Sequence, residues 1–263
     1  MSDYSLRFGG IARLYGQKGA EIIRQAHICV IGIGGVGSWA AESLARNGIG
    51  NITLIDLDDL CVTNINRQIH ALTSTIGESK VEVMAKRILG INPECHTVQV
   101  EDFITMENLH ELITDNFDYV IDAIDNVTAK CHLINACKEL DIPLVVSTGA
   151  SGRWDPTKVE TADLTKTKVD PLAATVRKIL RKQYGFAPYA KWNIPAVFST
   201  EPLQDPVVLP YDKNGDFQCV CPSGENTYHN CEERNVIWGT AGFVTGVFGL
   251  TCASLVVKAL VES

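Results

Sequence analysis

The sequence predicts an α/β protein: a Rossmann-like, mostly parallel sheet with helices on both faces and a C-terminal elaboration. Three observations carry this. Short β-branched runs alternate with helical stretches through the first 150 residues. A glycine-rich turn, Ile31 to Gly37, joins the first run to the first helix. The chain has 263 residues, 46% hydrophobic and 21% charged, enough apolar material for a large core.

The elements follow in order. His27 to Ile31 reads as a buried strand and Val36 to Asn47 as a helix stopped by Asn47-Gly48. Ile52 to Ile55 is the second strand. Ser79 to Leu89 is helical and ends before Gly90 and Asn92-Pro93. Thr97–Val100 and Tyr119–Ile121 are strands, Val127–Leu140 a helix, and Leu144–Ser147 a further strand. This β-α-β order implies right-handed crossovers. Residues 151–235 hold eight of the ten prolines and read as long loops, a few strands and one helix. The expected organisation is one domain over 1–263: a helical arm (1–26), a nucleotide-binding core (27–150), a loop-rich elaboration (151–235) and an apolar helix (236–263).

Composition excludes several classes. Ordinary Gly and Pro counts rule out collagen and low-complexity chains. Lys plus Arg is 23 against 31 Asp plus Glu, a net charge of −8, so no uniformly basic coat exists. Nine cysteines, an odd number spread along a chain with a sufficient core, read as reduced thiols of a cytoplasmic protein. The start, MSDYSLRFGG, lacks the apolar run of a secretory signal. Val236 to Val257 is uncharged and long enough to cross a bilayer. Its glycines at 239, 242, 246 and 249 suit close backbone packing, so a buried helix is expected.

The turn Ile31-Gly32-Ile33-Gly34-Gly35-Val36-Gly37 lets phosphate oxygens approach backbone N–H groups at a helix N-terminus. NAD, FAD and ATP all fit it. Asp56 closes the second strand, where a carboxylate accepts ribose hydroxyls, and Asp58 and Asp59 follow. Asn64, Arg67 and Gln68 form a polar cluster in the next loop, and Gly77-Glu78-Ser79-Lys80 sets a lysine at a helix start. Hydride transfer needs neither Arg67 nor Lys80; expulsion of pyrophosphate needs both, because negative charge grows on the leaving group. Asp122-Ala123-Ile124-Asp125-Asn126 ends a strand at its carboxyl edge, and Asp125 suits Mg²⁺ between phosphates. Each also has a plain structural explanation: Arg67 in a surface ion pair, Lys80 at a solvated helix end, Asp125 as an N-cap.

Taken together, G-x-G-G-x-G, the Asp56 strand end, N-x-x-R-Q, G-x-x-K and D-x-x-D-N resemble the ubiquitin-activating-enzyme-like (ThiF-type) family, whose small bacterial members adenylate carboxylates. The resemblance implies ATP and Mg²⁺ as cofactors. It assigns nucleotide contacts to Gly32, Gly34, Gly35, Gly37, Asp56, Asp58, Asn64, Arg67, Gln68, Lys80, Asp122, Asp125 and Asn126. Catalytic roles fall to Arg67, Lys80 and Asp125, and the metal to Asp125. Arg7-Phe8 fits the family's N-terminal pattern, but the position of its second arginine, which reaches into a partner subunit, is Gly10; the nearest substitute is Arg13. The resemblance also implies a homodimer and admits a cysteine-desulfurase or sulfur-acceptor partner.

The second half narrows the resemblance. Cys219-Val220-Cys221 and His229-Asn230-Cys231 depart from the paired C-x-x-C zinc pattern of protein-modifier activators. Pro171 opens a helix capped by Asp170, with Leu172, Val176, Ile179 and Leu180 on one face and Arg177, Lys178, Arg181 and Lys182 on another. Between Arg153 and Lys191 stand nine basic and four acidic residues; the rest of the chain has 14 basic and 27 acidic. That local excess fits a phosphate-backbone footprint, or simply a solvated helix face. R-F-G-G-x-A-R-L-Y-G, K-T-K-x-D-P-L-A-x-x-V-R-K-x-L-R-K and Val197 to Glu201 resemble the family's tRNA threonylcarbamoyladenosine dehydratase subgroup. That resemblance implies a tRNA substrate, adenylation of its modified nucleoside and intramolecular ring closure, with membrane association not expected. Activation of a small sulfur-carrier protein, NAD-dependent oxidation and a sulfur-relay scaffold using Cys231 are the competing readings.

Overall fold

The computed structural model describes residues 2–209 and 238–262. Seven strands form one sheet in the order β3-β2-β1-β4-β5-β7-β6. They are β1 (His27–Ile31), β2 (Asn51–Ile55), β3 (His96–Val100), β4 (Tyr119–Asp122), β5 (Leu144–Ser147), β6 (Val159–Asp163) and β7 (Pro195–Ser199). All pair in parallel except β6, which runs antiparallel on the edge beside β7. The helices are α1 (Asp3–Arg7), α2 (Gly9–Gln25), α3 (Gly37–Arg46), α4 (Lys80–Ile91), α5 (Leu109–Leu112), α6 (Val127–Glu139), α7 (Pro171–Gln183) and α8 (Gly242–Glu262). The expected α/β class and parallel sheet hold, and the elaboration supplies both β6–β7 and α7.

The sheet is apolar on both faces because helices cover both. Successive strand residues point to opposite sides. Ile28, Val30, Tyr119, Ile121 and Val145 therefore join α3, α4 and α8 in one core. Cys29, Ile31, Val120, Leu144 and Val146 join α6 and α7 in the other. This double burial explains why the strands read as continuous apolar runs.

Helix α8 carries most of the apolar stretch; it begins at Gly242, and residues 236 and 237 lie outside the described residues. Length and composition alone would let it cross a membrane. Here Val244, Phe248, Cys252 and Val256 are buried in the core it shares with α3. Its glycines set the spacing. A Cβ at Gly242 would lie 2.6 Å from the Asn66 carbonyl oxygen, and one at Gly249 would run into the Val36 carbonyl and stand 2.7 Å from Trp39 Cβ.

A buried ion pair fastens α7. Arg153 donates to Asp170 at 3.0 Å, and both side chains are almost wholly inaccessible. The other oxygen of Asp170 accepts the Ala173 N–H at 2.7 Å, the N-cap bond expected from sequence. Arg153 also donates to the Glu201 backbone carbonyl, which joins the loop after β5, the start of α7 and the end of β7.

Two glycine substitutions separate packing from propensity. Gly249→Val should destabilise the protein by about 2 kcal/mol through overpacking against α3. Gly90→Ala, on α4 with no atom within 4 Å of its added Cβ, should instead add about 0.5–1 kcal/mol. Urea-denaturation midpoints at constant m-value read both signs.

Candidate active site

From β1 the chain moves outward to β2 and β3, then returns to lay β4 on the other side of β1. The carboxyl ends of β1 and β4 thus flank the crevice where open α/β sheets take ligands. The glycine turn lies there. Gly32 has φ +85°, and a Cβ on it would stand 2.8 Å from the Ala123 carbonyl oxygen at the end of β4. A Cβ on Gly37 would collide with the Gly32 carbonyl. Both positions need glycine to let the turn close. Gly35 faces the stem of Arg67, whose Cγ and Cδ lie 3.4 Å from its missing Cβ, and Gly34 faces the Gln68 amide. Helix α3 follows at once, with no side-chain cap at Val36, so its dipole favours an anion at this end.

Asp56 ties the turn down. One carboxylate oxygen accepts the Ile33 N–H at 2.6 Å and the other the Asp58 N–H at 2.9 Å. Lys80 Nζ lies 3.6 Å from Asp56 and 2.6 Å from Asp58, with only 8% of its side chain accessible. Burial by itself lowers the lysine pKa; Asp56 and Asp58 outweigh it and hold the group above its ordinary value. Lys80 is therefore a buried, charged member of the site rather than a solvated helix end.

Arg67 is half-buried and donates to the Thr63 carbonyl at 2.8 Å and to Asn66 Oδ1 at 3.1 Å. Its own carbonyl accepts from Trp39 Nε1 at 3.0 Å, and Asn66 Nδ2 donates to the Thr240 carbonyl at 2.9 Å. The arginine thus rests on residues of α3 and of the segment entering α8. Gln68 is buried, and among the described residues its Oε1 has no hydrogen-bond partner. Asn64 is buried as well, but its Oδ1 accepts the Cys61 N–H at 3.0 Å, so it shapes the loop from within.

At the end of β4, Asp122 points inward. It pairs with Lys130 at 2.7 Å, and both side chains are at most 1% exposed. Lys130 Nζ also donates to the Ser147 carbonyl at 3.0 Å, joining β4 to β5 beneath the crevice. Sequence reasoning missed Lys130; the available signal was a lysine within an otherwise apolar helix face. Asn126, not Asp125, caps α6, accepting the Ala129 N–H at 3.0 Å. Asp125 is exposed at the carboxyl edge, and its electrostatic influence reaches Lys80.

Other sequence candidates lie apart. Arg13 is exposed on α2, which packs on α8. The four basic residues of α7 do not form one solvated face. Lys178 and Lys182 are exposed, whereas Arg177 donates to the Leu164 carbonyl and Thr167 Oγ1, and Arg181 lies 5.4 Å from the Trp192 ring centre. Both arginines are thus partly spent on holding neighbouring loops. Cys219, Cys221, His229 and Cys231 fall outside the described residues. Burial pushes Cys95, Cys137 and Cys252 up to about 12 and Cys131 to about 11, so these thiols are protonated and poor nucleophiles. No group of three or more His, Cys, Asp or Glu side chains forms a metal cluster among the described residues.

His70 is 1% exposed, and among the described residues neither ring nitrogen has a hydrogen-bond partner. Burial, with Lys80 and Arg87 nearby, pushes its pKa down to about 3. The ring is neutral at physiological pH.

The profile of the ThiF family matches residues 9–263. A tRNA threonylcarbamoyladenosine dehydratase of Haemophilus influenzae is 48% identical over 264 residues, covering 100% of this chain and 96% of that protein. Among solved structures, the E. coli tRNA N6-threonylcarbamoyladenosine dehydratase in complex with ATP superposes with a TM-score of 0.85 at 46% identity, covering 99% of this chain and 96% of that one. Its complex with AMP matches with a TM-score of 0.85 at 45% identity over the same shares.

The His70 environment predicts an acid dependence of stability. The unfolded chain takes up a proton near pH 6.5, whereas the folded chain resists until about pH 3. Stability is unaffected above that window and falls through it, by about 1.4 kcal/mol per pH unit from this group. Urea unfolding between pH 6.5 and 4 should show that increment in the parental protein and not in His70→Asn.

Proposed function

Because the chain belongs to the ThiF family, we propose that it is an ATP-dependent dehydratase that cyclises threonylcarbamoyladenosine in tRNA. One observation carries the reading: the similarity to such dehydratases runs through the second half of the chain as well as the nucleotide-binding half. Activators of small sulfur-carrier proteins share the glycine turn, Arg67, Lys80 and Asp125, but the α7 segment gives no reason to prefer a protein substrate. NAD-dependent oxidation leaves the buried Lys80 and neighbouring Arg67 without a task.

In this reading the glycine turn and the N-terminus of α3 take the phosphates, and Asp56 adds a ribose contact to its hold on the turn. Arg67 and Lys80 offset the charge that builds at the α-phosphorus and on departing pyrophosphate. Asp125, an exposed carboxylate outside any metal cluster among the described residues, fits an ion that takes one protein ligand and completes its shell from phosphates and water, as Mg²⁺ does. When bound, that ion would neutralise phosphate charge. The enzyme works in the cytoplasm as a homodimer, with Arg13 reaching towards the nucleotide of the partner copy.

The chemistry follows from the electrophile required. A free carboxylate resists attack. Its oxygen displaces pyrophosphate from the α-phosphorus of ATP, giving a mixed anhydride with AMP. A nitrogen or oxygen of the same modified side chain then attacks the activated carbonyl and loses its proton, and AMP leaves with the former carboxylate oxygen. The RNA loses one water in total. Ring closure is intramolecular, so positioning replaces an enzyme nucleophile. That accords with the protonated buried thiols.

Incubation with ATP, Mg²⁺ and unfractionated tRNA, followed by nucleoside mass analysis, tests the reading directly. A modified nucleoside lighter by one water, with AMP released, is expected; AMP release stimulated only by a carrier protein would overturn it. Asp125→Ala should lower turnover by at least about a hundredfold while leaving the thermal midpoint unchanged. Lys178→Gln combined with Lys182→Gln should weaken tRNA binding and flatten its dependence on salt, by up to about 0.9 in log–log slope for each phosphate no longer neutralised. Filter binding at several salt concentrations measures it.

A further inference from the structure

The loop that leaves β5 is fastened along its length. The Gly149 N–H donates to Asp170 at 3.1 Å. Gly152, at φ +71°, donates to the Gly239 carbonyl at 2.7 Å and accepts from the Gln204 N–H at 2.8 Å. Arg153 is buried and already committed to Asp170 and to three backbone carbonyls. Glu201 is 7% exposed, and its carboxylate accepts the N–H groups of Trp154 and Asp155 at 3.1 and 2.9 Å. A buried carboxylate thereby fixes the backbone from which Trp154 projects.

The indole itself is left outside, 67% exposed. The other three tryptophans, Trp39, Trp192 and Trp238, are half-buried. An indole in water forgoes the burial that stabilises an aromatic residue, and here it does so on a backbone held still. A rigid, exposed, uncharged ring is a stacking platform.

Its location defines the partner. β5 neighbours β4, whose carboxyl end carries Asp122 to Asn126, and the β5 loop emerges at the same edge as the glycine turn. A chain of contacts links the two: Ser151 Oγ to Thr240 Oγ1 at 3.3 Å, then the Thr240 carbonyl to Asn66, next to Arg67. The Trp154 backbone therefore stands at the carboxyl edge of the sheet, on the side of the crevice away from β2 and Asp56, the side that the dehydratase reading leaves to the acceptor. An RNA that delivers one nucleoside side chain to an adenylation site must unstack its neighbours, and an aromatic face restores the stacking they lose.

We propose that Trp154 is a nucleobase-stacking residue, holding a tRNA base adjacent to the modified nucleoside while its carboxylate is adenylated. This rests on the dehydratase reading. Arg153 beneath the loop is buried and makes four hydrogen bonds within the protein, so the contact is a stack rather than a hydrogen-bonded reading of base edges.

Steady-state kinetics with tRNA carrying threonylcarbamoyladenosine test it. Trp154→Ala should raise the KM for tRNA about tenfold and leave kcat at saturating tRNA within about twofold. Trp154→Phe, which keeps an aromatic face, should retain the parental KM, and Trp154→Leu should behave like Trp154→Ala. ATP affinity without tRNA should match the parental protein in all three. Separately, tRNA should quench the parental tryptophan emission more than that of Trp154→Phe. A parental KM for tRNA in Trp154→Ala, or an equal quench in Trp154→Phe, would overturn the proposal. Absence of AMP release by the parental protein would instead sink the dehydratase reading, while the quench still decides whether a base stacks on Trp154.

Discussion

The carboxylate of Asp56 is the constraint on which the site depends. It accepts an N–H from the glycine turn at 2.6 Å and one from its own strand end at 2.9 Å, and it shares Lys80 with Asp58. One side chain thus joins β2, the glycine turn and the start of α4. Buried charges of this kind contribute little net stability, because desolvation offsets their attraction, while loss of one partner costs about 3–5 kcal/mol. Their value lies in geometry. They place a cation beside the glycine turn and fix its protonation.

The apolar C-terminal helix serves the same end from the other side. The Trp39 indole donates to the Arg67 carbonyl, Thr245 Oγ1 approaches that carbonyl at 3.4 Å, and Gly242 lets α8 pass close to the Asn66 backbone. The composition that makes α8 resemble a membrane span is what a helix needs to lie within reach of two backbones. Close approach forbids side chains at Gly242 and Gly249, and the core shared with α3 excludes charge.

Two buried salt bridges extend the framework towards β5 and α7. Lys130 holds Asp122 and the end of β5 together, and Arg153 holds the β5 loop to Asp170 at the head of α7. The acidic chain therefore carries its basic segment on a mount continuous with the crevice beside the glycine turn, rather than on an independent arm.

Much of this was legible in the residues. Continuous apolar runs separated by helical stretches specify a parallel sheet covered on both faces, and a glycine turn followed by an acidic strand end specifies a tight strand–helix junction at the carboxyl edge. These signals are local: period, turn chemistry and spacing operate within a few residues. The burial of Lys80 between two carboxylates, the capping of α6 by Asn126, the diversion of Arg177 and Arg181 to neighbouring loops, and the anchoring of Trp154 by Glu201 were decided only by tertiary structure. Each joins residues from separate elements, or depends on how far water is excluded when those elements pack, and neither distance along the chain nor residue type encodes that.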